Sequence, residues 1–273
     1  MTEIDSSQPE QICRRIRREM LVIHRQAPGT RIASSLSAVE ILVSLFYANL
    51  LSFRPEEPLW KHRDRLIISK AHGGIALYPI LADLGFFPRS ELETVGRNGS
   101  RLGTIPDPII PGFETLNGSL GHGPGVANGI ALALRSQALP HSVVVLCGDG
   151  EIYEGAVWEA VMFAAHHQLD NITLIVDANE HCMLGDCISI LNINPIADKL
   201  AAFGWDVSEV AGHDTGRLVP AFRDTLRRRN RAPKAVIAHT VKGKGVPELE
   251  TDPLSHVKSI APERINELVK QLS

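Results

Sequence analysis

The stretch "SVVVLCGDGEIYEGAVWEA" at residues 142–160 decides the fold of this 273-residue chain. Its run of β-branched residues ends in Gly148-Asp149-Gly150, and a helical pattern with early glutamates follows. The glycines on both sides of Asp149 let the backbone turn sharply and come close to a ligand. The stretch therefore predicts a buried strand, a tight turn that carries a carboxylate, and a helix.

Strands and helices alternate along the rest of the chain. Short apolar runs predict strands at 64–69, 142–147, 171–178, 206–211 and 234–240. Apolar residues at three- and four-residue spacing predict helices at 9–27, 36–50, 73–86, 124–139, 155–168, 195–203 and 215–229. This alternation predicts an α/β fold, in which a doubly wound, mostly parallel sheet carries helices on both faces. We expect a single domain over residues 1–273.

Two irregular segments interrupt this alternation. Residues 98–123 are rich in Gly and Pro and lack any period, and residues 242–262 precede one short final helix. A loop of such length inside a compact domain is usually functional. We therefore expect residues 98–123 to contribute to a site.

Composition excludes several classes of function. The net charge of −3, with both signs mixed along the chain, indicates neither a nucleic-acid nor a membrane partner. No apolar run reaches the ~18 residues that span a bilayer. The four cysteines form no C-x-x-C pair, and with no signal peptide they indicate reduced thiols and a cytoplasmic location. Cys182 and Cys187 alone make a poor metal site.

Polar residues stand at the ends of two successive strands. Asp149 follows the strand at 142–147, and about thirty residues later Asn179 follows the strand at 171–178. Ligands of open parallel sheets bind beyond the carboxyl ends of the strands, where Mg²⁺ with a phosphate suits these oxygens and the helix N-terminus. The alternative is that both are turn residues, which a lone G-D-G would favour. Glu151 is expected to be a favourable first-turn charge of the helix.

Several segments carry a resemblance to the transketolase family. "GDGEIYEGAVWEAVMFAAHHQLDNITLIVDANE" (148–180) resembles its thiamine diphosphate motif, which has G-D-G, about thirty residues and then Asn. The segments similar to other parts of that family are "ASSLSAVEILVSLFY" (33–47), "DRLIISKAHGGIALYPILADLGFFP" (64–88) and "ETLNGSLGHGPGVANGIALALR" (114–135). The resemblance implies the N-terminal, pyrophosphate-binding section of a transketolase, with thiamine diphosphate and Mg²⁺ as cofactors.

The resemblance implies roles for residues at the diphosphate end. Asp149 and Asn179 would ligate Mg²⁺ together with the backbone carbonyl of His181. Gly150 and His72 would contact the diphosphate, and His72 is also a candidate catalytic residue. The alternative for His72, at a strand-to-helix turn, is a simple cap.

It also implies roles at the opposite end of the cofactor. Backbone groups at Gly118 and Leu120 would face the aminopyrimidine. Glu154, a candidate catalytic and cofactor-binding residue, and Glu159 would lie near a dimer interface that links two active sites. His256 matches a histidine that reaches the active site of the family and is a further catalytic candidate.

Three positions depart from the family pattern. Arg31 and Ile105 stand where the family places histidines that face the substrate, and Cys182 stands where it usually has Gln. Loss of both histidines removes partners for the hydroxyls of ketose phosphates. Arg31 adds a positive fork that suits a carboxylate, phosphate or sulfonate. We expect an intact cofactor site and a specialised substrate site.

The chain has no room for the pyrimidine-binding domain of the family, whose glutamate activates the cofactor. The resemblance therefore implies a second subunit that carries that domain, in an α2β2 heterotetramer; the alternative is a shortened chain. The expected function is the cofactor-binding subunit of an enzyme that transfers a two-carbon ketol or acyl unit to a small-molecule or carrier-bound acceptor. Two other functions stay open, the alpha subunit of a 2-oxo acid dehydrogenase and a non-catalytic scaffold.

Overall fold

The computed structural model describes residues 9–272. Its main sheet has five parallel strands. In spatial order these strands are β1 (Arg65–Ile68), β2 (Val143–Gly148), β3 (Ile172–Ala178), β7 (Lys234–His239) and β6 (Asp206–Ala211). A small antiparallel hairpin of β4 (His181–Cys182) and β5 (Gly185–Asp186) follows β3.

Helices connect the strands and flank the sheet. The α-helices of the described residues are α1 (Pro9–Gln26), α2 (Ile32–Leu36), α3 (Val39–Tyr47), α4 (Leu77–Asp83), α5 (Gly123–Ser136), α6 (Gly155–His166), α7 (Cys187–Ile190), α8 (Ile196–Ala202), α9 (Thr215–Arg227), α10 (Pro247–Glu250) and α11 (Pro262–Gln271). Short 3-10 helices occupy Ala71–Ala76, Arg89–Thr94 and Asp149–Tyr153. Between residues 9 and 272, no helix has the length and apolar character to cross a membrane.

Two hydrophobic cores, one on each face of the sheet, hold these layers together. Val144 and Leu146 of β2 pack with residues of α1, α3 and α9, whereas Val143 and Val145 pack on the other face with α5, α6 and α8. Successive side chains of a strand point to opposite faces, so a strand buried on both faces is apolar throughout. Each fully buried side chain of this size stabilises the fold by roughly 1.5–3 kcal/mol. The predicted α/β fold with helices on both faces is confirmed.

The elements differ from the prediction in several places, and α7 and the 3-10 helices at Arg89–Thr94 and Asp149–Tyr153 are among those not predicted. The helix expected at 36–50 is interrupted by a turn at Ser37 and Ala38, where Ala38 has φ −90° and ψ 0°, and the Ser37 hydroxyl donates to the Asp177 carboxylate at 2.6 Å. The segment at 73–86 begins as the 3-10 helix and becomes helical only in α4. The tail at 242–262 contains α10, and the β4–β5 hairpin was not foreseen. A single domain over residues 1–273 stays a prediction, since residues 1–8 and 273 lie outside the described part.

Candidate active site

Three neighbouring strands end level with one another, and a cavity opens beyond them. Gly148 of β2 pairs with Asp177 of β3, and Ala178 of β3 pairs with His239 of β7. The cavity beyond these ends has a volume of about 280 Å³. The residues that the sequence assigned to the site and that line this cavity are His72, Leu120, Asp149, Gly150, Asn179, His181 and His256.

Asp149 begins the 3-10 turn after β2 and is buried. Its Oδ1 accepts a hydrogen bond from the backbone N–H of Gly150 at 2.8 Å, and its Oδ2 accepts one from the backbone N–H of Glu180. Burial, reinforced by the Asp177 carboxylate, raises the pKa of Asp149 to about 6, although the two N–H groups act in the opposite direction. The chain thus compensates this carboxylate only in part, which suits a group that binds a cation.

Asn179 and His181 bring further oxygen atoms to the same edge. Asn179 is buried directly after β3, and its Oδ1 accepts from the backbone N–H of His181 at 3.3 Å. The backbone carbonyl of His181 accepts a hydrogen bond from Nζ of Lys242 at 2.6 Å. This carbonyl therefore already binds positive charge, and its second lone pair can serve a metal ion.

A buried ion pair lies beside these oxygens. Nζ of Lys70, which lines the cavity, donates to Asp177, and both side chains are almost completely buried. Ser37 and Thr240 donate hydroxyl hydrogen bonds to the same carboxylate. Burial alone would raise the pKa of Asp177, but Lys70 and the hydroxyls outweigh it and lower the pKa. The pair fixes an ammonium group at the wall of the cavity.

Two histidines of the cavity lining, His72 and His256, are in contact, with ring centroids 4.8 Å apart. Nδ1 of His256 lies 3.1 Å from Nζ of Lys242 and 3.3 Å from the hydroxyl of Ser34. Because an ammonium group only donates, Nδ1 of His256 is the acceptor and its Nε2 carries the hydrogen. Burial and the charge of Lys70 lower the pKa of His72 to about 2, and burial and Lys242 lower that of His256 to about 4. Both rings are neutral near pH 7.

Glu151 has more contacts than the sequence indicated. It lies in the first turn of the 3-10 helix, as the interpretation as a first-turn charge expects, but its side chain is 2% exposed and accepts three hydrogen bonds. Burial raises its pKa, while Ser69 and two backbone N–H groups act against this rise. The Glu151 carboxylate therefore joins neighbouring loops inside the protein through hydrogen bonds.

Some of the assigned residues lie outside the cavity lining. Gly118 is exposed, and a Cβ built on it would meet nothing within 4 Å. Glu154 is exposed as well, and its Cβ lies 2.5 Å from the position that a Cβ on Gly121 would take, which fixes it against the 118–123 loop. Glu159 is on the α5–α6 surface and lines a shallow groove there. The structure thus separates these residues from the diphosphate end.

The residues that depart from the family pattern are on the outside. Arg31 is exposed, and its positive charge contributes to the lowered pKa of His256. Ile105 is 45% exposed. Cys182 is the exception, because it lines the cavity beside Gly150. A Cβ built on Gly150 would lie 2.8 Å from the Cβ of Cys182, so position 150 accepts no residue larger than glycine.

The donor set fits Mg²⁺ bound together with a diphosphate. Within residues 9–272 no group of three or more His, Cys, Asp or Glu side chains is placed to hold a metal ion. A cation at this edge would take one carboxylate, one amide and one carbonyl oxygen, from Asp149, Asn179 and His181, and would complete its shell from a ligand and water. That division is how proteins hold Mg²⁺ on phosphates.

Sequence reasoning missed three charged residues of the site. Lys70 and Lys242 bring ammonium groups to the cavity, and Glu151 joins the loops around it. Lys70 stands two residues before His72, and Lys242 stands in the glycine-flanked run "VKGKG" at 241–245, so local context marked both segments. Their partners are distant in sequence, and no local pattern indicates them.

Known proteins share this architecture and sequence. The family model described as transketolase, thiamine diphosphate binding domain, matches residues 12–273. An uncharacterised transketolase family protein of Sinorhizobium fredii, y4mO, is 38% identical over 97% of this chain and 94% of its own length. A 6-deoxy-6-sulfo-D-fructose transketolase subunit of a Clostridium species, SqwG, is 37% identical over 88% of this chain and 87% of its own.

A solved structure agrees with these matches. Transketolase from Campylobacter jejuni superposes with a TM-score of 0.78 at 28% identity, over 94% of this chain and 42% of the other. The chain thus spans less than half the length of that transketolase. From its sequence matches and its fold, this chain belongs to the transketolase family and carries the thiamine diphosphate binding domain.

Proposed function

We propose that this chain is the cofactor-binding subunit of a transketolase-like enzyme that depends on thiamine diphosphate and Mg²⁺ and transfers a two-carbon ketol or acyl unit. One observation carries the proposal. Oxygen atoms of Asp149, Asn179 and His181 converge with the ammonium groups of Lys70 and Lys242 at a single cavity beyond the strand ends. This arrangement binds a cation and a polyanion together.

At the diphosphate end, one set of residues would bind the metal ion and another would bind the diphosphate. Asp149, Asn179 and the carbonyl of His181 would hold Mg²⁺, and Lys70 and Lys242 would face the diphosphate oxygens. When bound, thiamine diphosphate supplies a nucleophilic thiazolium carbon for chemistry at a carbonyl group. The chain itself binds and orients the cofactor, and it excludes water from the buried end of the cavity.

His72 and His256 would form hydrogen bonds with the substrate in the cavity. Since both rings are neutral near pH 7, His72 can donate to a substrate carbonyl or accept from a hydroxyl, whereas His256, whose Nδ1 already accepts from Lys242, can only donate. Nε2–H of His256, fixed as a donor by Lys242, suits an oxygen that gains negative charge. We assign both residues to catalysis on this ground, with Glu154 assigned to the link with a neighbouring subunit.

A second subunit completes the site in this proposal. Large apolar side chains stay exposed, among them Met183 and Leu184 of the cavity lining and Leu116 two residues before Gly118, and exposed apolar patches of this kind are typical of interaction surfaces. The relative SqwG is itself named a subunit. We propose a partner that carries the pyrimidine-binding domain and the catalytic glutamate, in an α2β2 heterotetramer. The four free cysteines agree with a cytoplasmic location for the assembly.

The substrate is expected to carry negative charge and few hydroxyl groups. Arg31 forms no side-chain hydrogen bond or ion pair within residues 9–272, so its guanidinium is available to a carboxylate, phosphate or sulfonate. Ile105 offers no hydrogen bond to a hydroxyl at the other position. The name of SqwG, a 6-deoxy-6-sulfo-D-fructose transketolase subunit, provides an example of a sulfonated sugar in this family.

Calorimetry with Mg²⁺ and thiamine diphosphate tests the proposal. The chain co-expressed with its partner should bind both, and Asp149→Ala should weaken cofactor binding at least about hundredfold, since an anionic ligand of a metal is lost. Asp198→Ala, an exposed aspartate of α8, is the matched control and should bind as the wild type does.

Other outcomes would favour the other functions. Equal cofactor affinity in Asp149→Ala and Asp198→Ala would overturn the assignment of the metal site. No cofactor binding by the wild-type complex would favour a scaffold, and oxidative decarboxylation of 2-oxo acids would favour the dehydrogenase subunit. The isolated chain is expected to show no turnover, and activity without a partner would contradict the two-subunit proposal.

A further inference from the structure

One buried carboxylate holds three segments of the cavity wall together. Oε1 of Glu151 accepts hydrogen bonds from the hydroxyl of Ser69 at 2.5 Å and from the backbone N–H of Gly121 at 2.8 Å. Its Oε2 accepts one from the backbone N–H of Gly148 at 3.2 Å. Ser69 follows β1, Gly121 lies in the loop before α5, and Gly148 ends β2. Glu151 thus joins segments that are far apart in sequence.

The contact extends from Ser69 into the start of α5. The hydroxyl of Ser69 accepts a hydrogen bond from the backbone N–H of Gly123 at 3.2 Å while it donates to Glu151. A Cβ on Gly123 would lie 2.3 Å from that hydroxyl, and a Cβ on Gly121 would lie 2.5 Å from the Cβ of Glu154. Gly121 also has φ of +85°, a conformation that favours glycine. The loop is therefore closely packed against Ser69 and Glu154, beside its hydrogen bond to the Glu151 carboxylate.

We infer that Glu151 is a positioning residue that sets the loop at 118–123 relative to the turn that carries Asp149. The inference rests on the proposed function, in which Asp149 serves the metal and diphosphate and the loop, through Leu120, serves the other end of the cofactor. Glu151 acts through Ser69 and two backbone N–H groups. It fixes the distance between the two halves of the cofactor site.

A carboxylate is required because all three partners are donors. An ionised carboxyl group only accepts, whereas the amide of a glutamine must turn its NH₂ toward one of the donors. Glu151→Gln preserves the volume of the side chain and loses at least one hydrogen bond. Ser69→Ala is the second variant, since it removes one donor to Glu151 and the acceptor of Gly123 but leaves the carboxylate in place.

Hydrogen exchange and kinetics test the inference together. In the cofactor-free protein, Glu151→Gln should speed amide exchange at residues 118–123 by about tenfold, with Ser69→Ala acting chiefly at Gly123. In the assembled enzyme, kcat should fall at least about tenfold while the cofactor Kd changes by less than about threefold, because misplacement weakens reaction geometry more than binding. Glu93→Gln, an exposed glutamate, is the control for both measurements.

The outcomes separate this inference from the proposed function. Unchanged exchange at 118–123 in folded Glu151→Gln protein, or in Ser69→Ala if the first variant does not fold, would overturn the inference. Equal losses of kcat and of cofactor affinity would also overturn it, because they indicate general destabilisation of the site. A wild-type complex that binds no thiamine diphosphate would contradict the proposed function, while the exchange experiment would still decide whether Glu151 holds the loop.

Discussion

The two ends of the candidate site differ in how far the chain completes them. The inner group, made of Lys70, Asp149, Glu151 and Asp177, is buried, and every one of these charged side chains has hydrogen-bond partners inside the chain. The outer group, which the proposed function assigns to the substrate, the cofactor and the partner, consists of Arg31, Ile105, Leu116 and Gly118. These residues are exposed and lie outside the cavity lining, and the Arg31 guanidinium forms no hydrogen bond or ion pair within residues 9–272.

This difference shows which part of the function the chain specifies alone. Buried polar groups must be paired when the chain folds, since an unpaired one costs roughly 1–3 kcal/mol. Exposed polar groups can hydrogen-bond to water, so they need no partner within the chain and can later bind a ligand or another subunit. The inner group is therefore fixed by folding, and under the proposed function the outer group would be completed by the partner subunit and the substrate.

The largest loss of stability is expected when the ion pair of the inner group, between Lys70 and Asp177, is removed. Lys70→Met keeps the length of the side chain but leaves the Asp177 carboxylate buried without its countercharge. Loss of one partner of a buried pair typically costs about 3–5 kcal/mol, so the free energy of unfolding should fall by that amount. Urea denaturation of the isolated chain measures it, with Asp198→Ala as the control that should change little. A loss below about 1 kcal/mol would contradict the contrast between the groups.

A second buried pair supports the loop that carries Lys242. Glu40 of α3 accepts a hydrogen bond from Arg17 at 2.6 Å and lies 2.8 Å from Nδ1 of His213, and Arg17 also donates to the carbonyl of Lys244 at 2.9 Å. Burial alone would raise the pKa of Glu40, but the hydrogen bonds from His213 and Arg17 outweigh it and hold the pKa at about 2.

This pair predicts a pH dependence of stability. A glutamate whose pKa falls from its ordinary 4.5 to about 2 on folding stabilises the protein fully above pH 4.5, and this stabilisation is lost as the pH falls toward 2. Glu40→Gln should therefore lower the free energy of unfolding by about 2–3 kcal/mol at neutral pH, and the difference should narrow in acid. Urea denaturation between about pH 3 and 7 measures it. Curves that stay parallel throughout, as expected for Glu93→Gln, would contradict the role of Glu40.

How much the sequence could predict follows the same division. Asp149 and Asn179 were correctly placed at one edge because the ends of parallel strands meet there, and strand periodicity is local information. The pairing of Lys70 with Asp177, and of Lys242 with the carbonyl of His181, depends on contacts across 107 and 61 residues, which no local pattern contains.

Helix boundaries illustrate the same limit. The apolar spacing at 36–50 is that of one helix, but a turn at Ser37 and Ala38 separates α2 from α3, and the Ser37 hydroxyl there donates to Asp177, 140 residues away. Glu151 was interpreted as a helix charge for the same reason, since its donors Ser69 and Gly121 are 82 and 30 residues distant. Periodicity predicts elements, and long-range polar contacts then modify their ends.

The outer group is expected to control substrate choice and leave stability nearly unchanged. The wild-type complex should react weakly with xylulose 5-phosphate and ribose 5-phosphate and better with an anionic substrate that has few hydroxyl groups. Restoring histidines with Arg31→His and Ile105→His should raise kcat/KM on the sugar phosphates about tenfold to hundredfold, the effect of supplying partners to a hydroxyl worth roughly 1–3 kcal/mol.

The controls for this prediction are the two single variants and the melting of each protein. Full turnover of the wild type on the sugar phosphates would contradict the specialised pocket while leaving the cofactor assignment untouched. No gain in the double variant, with stability unchanged, would mean that Arg31 and Ile105 do not contact the substrate.

Of the substitutions considered, Leu116→Ser is expected to change the free energy of unfolding of the isolated chain least. It is also the most direct test of the difference between the inner and the outer group. The Leu116 side chain is 62% exposed, so Leu116→Ser should change the stability of the isolated chain by no more than about 0.5 kcal/mol. If the partner covers the outer group, the same change should weaken assembly about tenfold or more, because burying a leucine contributes roughly 1.5–3 kcal/mol. Leu59→Ser is the matched control, since Leu59 is a leucine that is 85% exposed and lies outside the outer group. Native mass spectrometry of the co-expressed subunits over a dilution series measures both. If Leu116→Ser and Leu59→Ser assemble equally well, the partner does not cover Leu116. The outer group would then contact only the substrate.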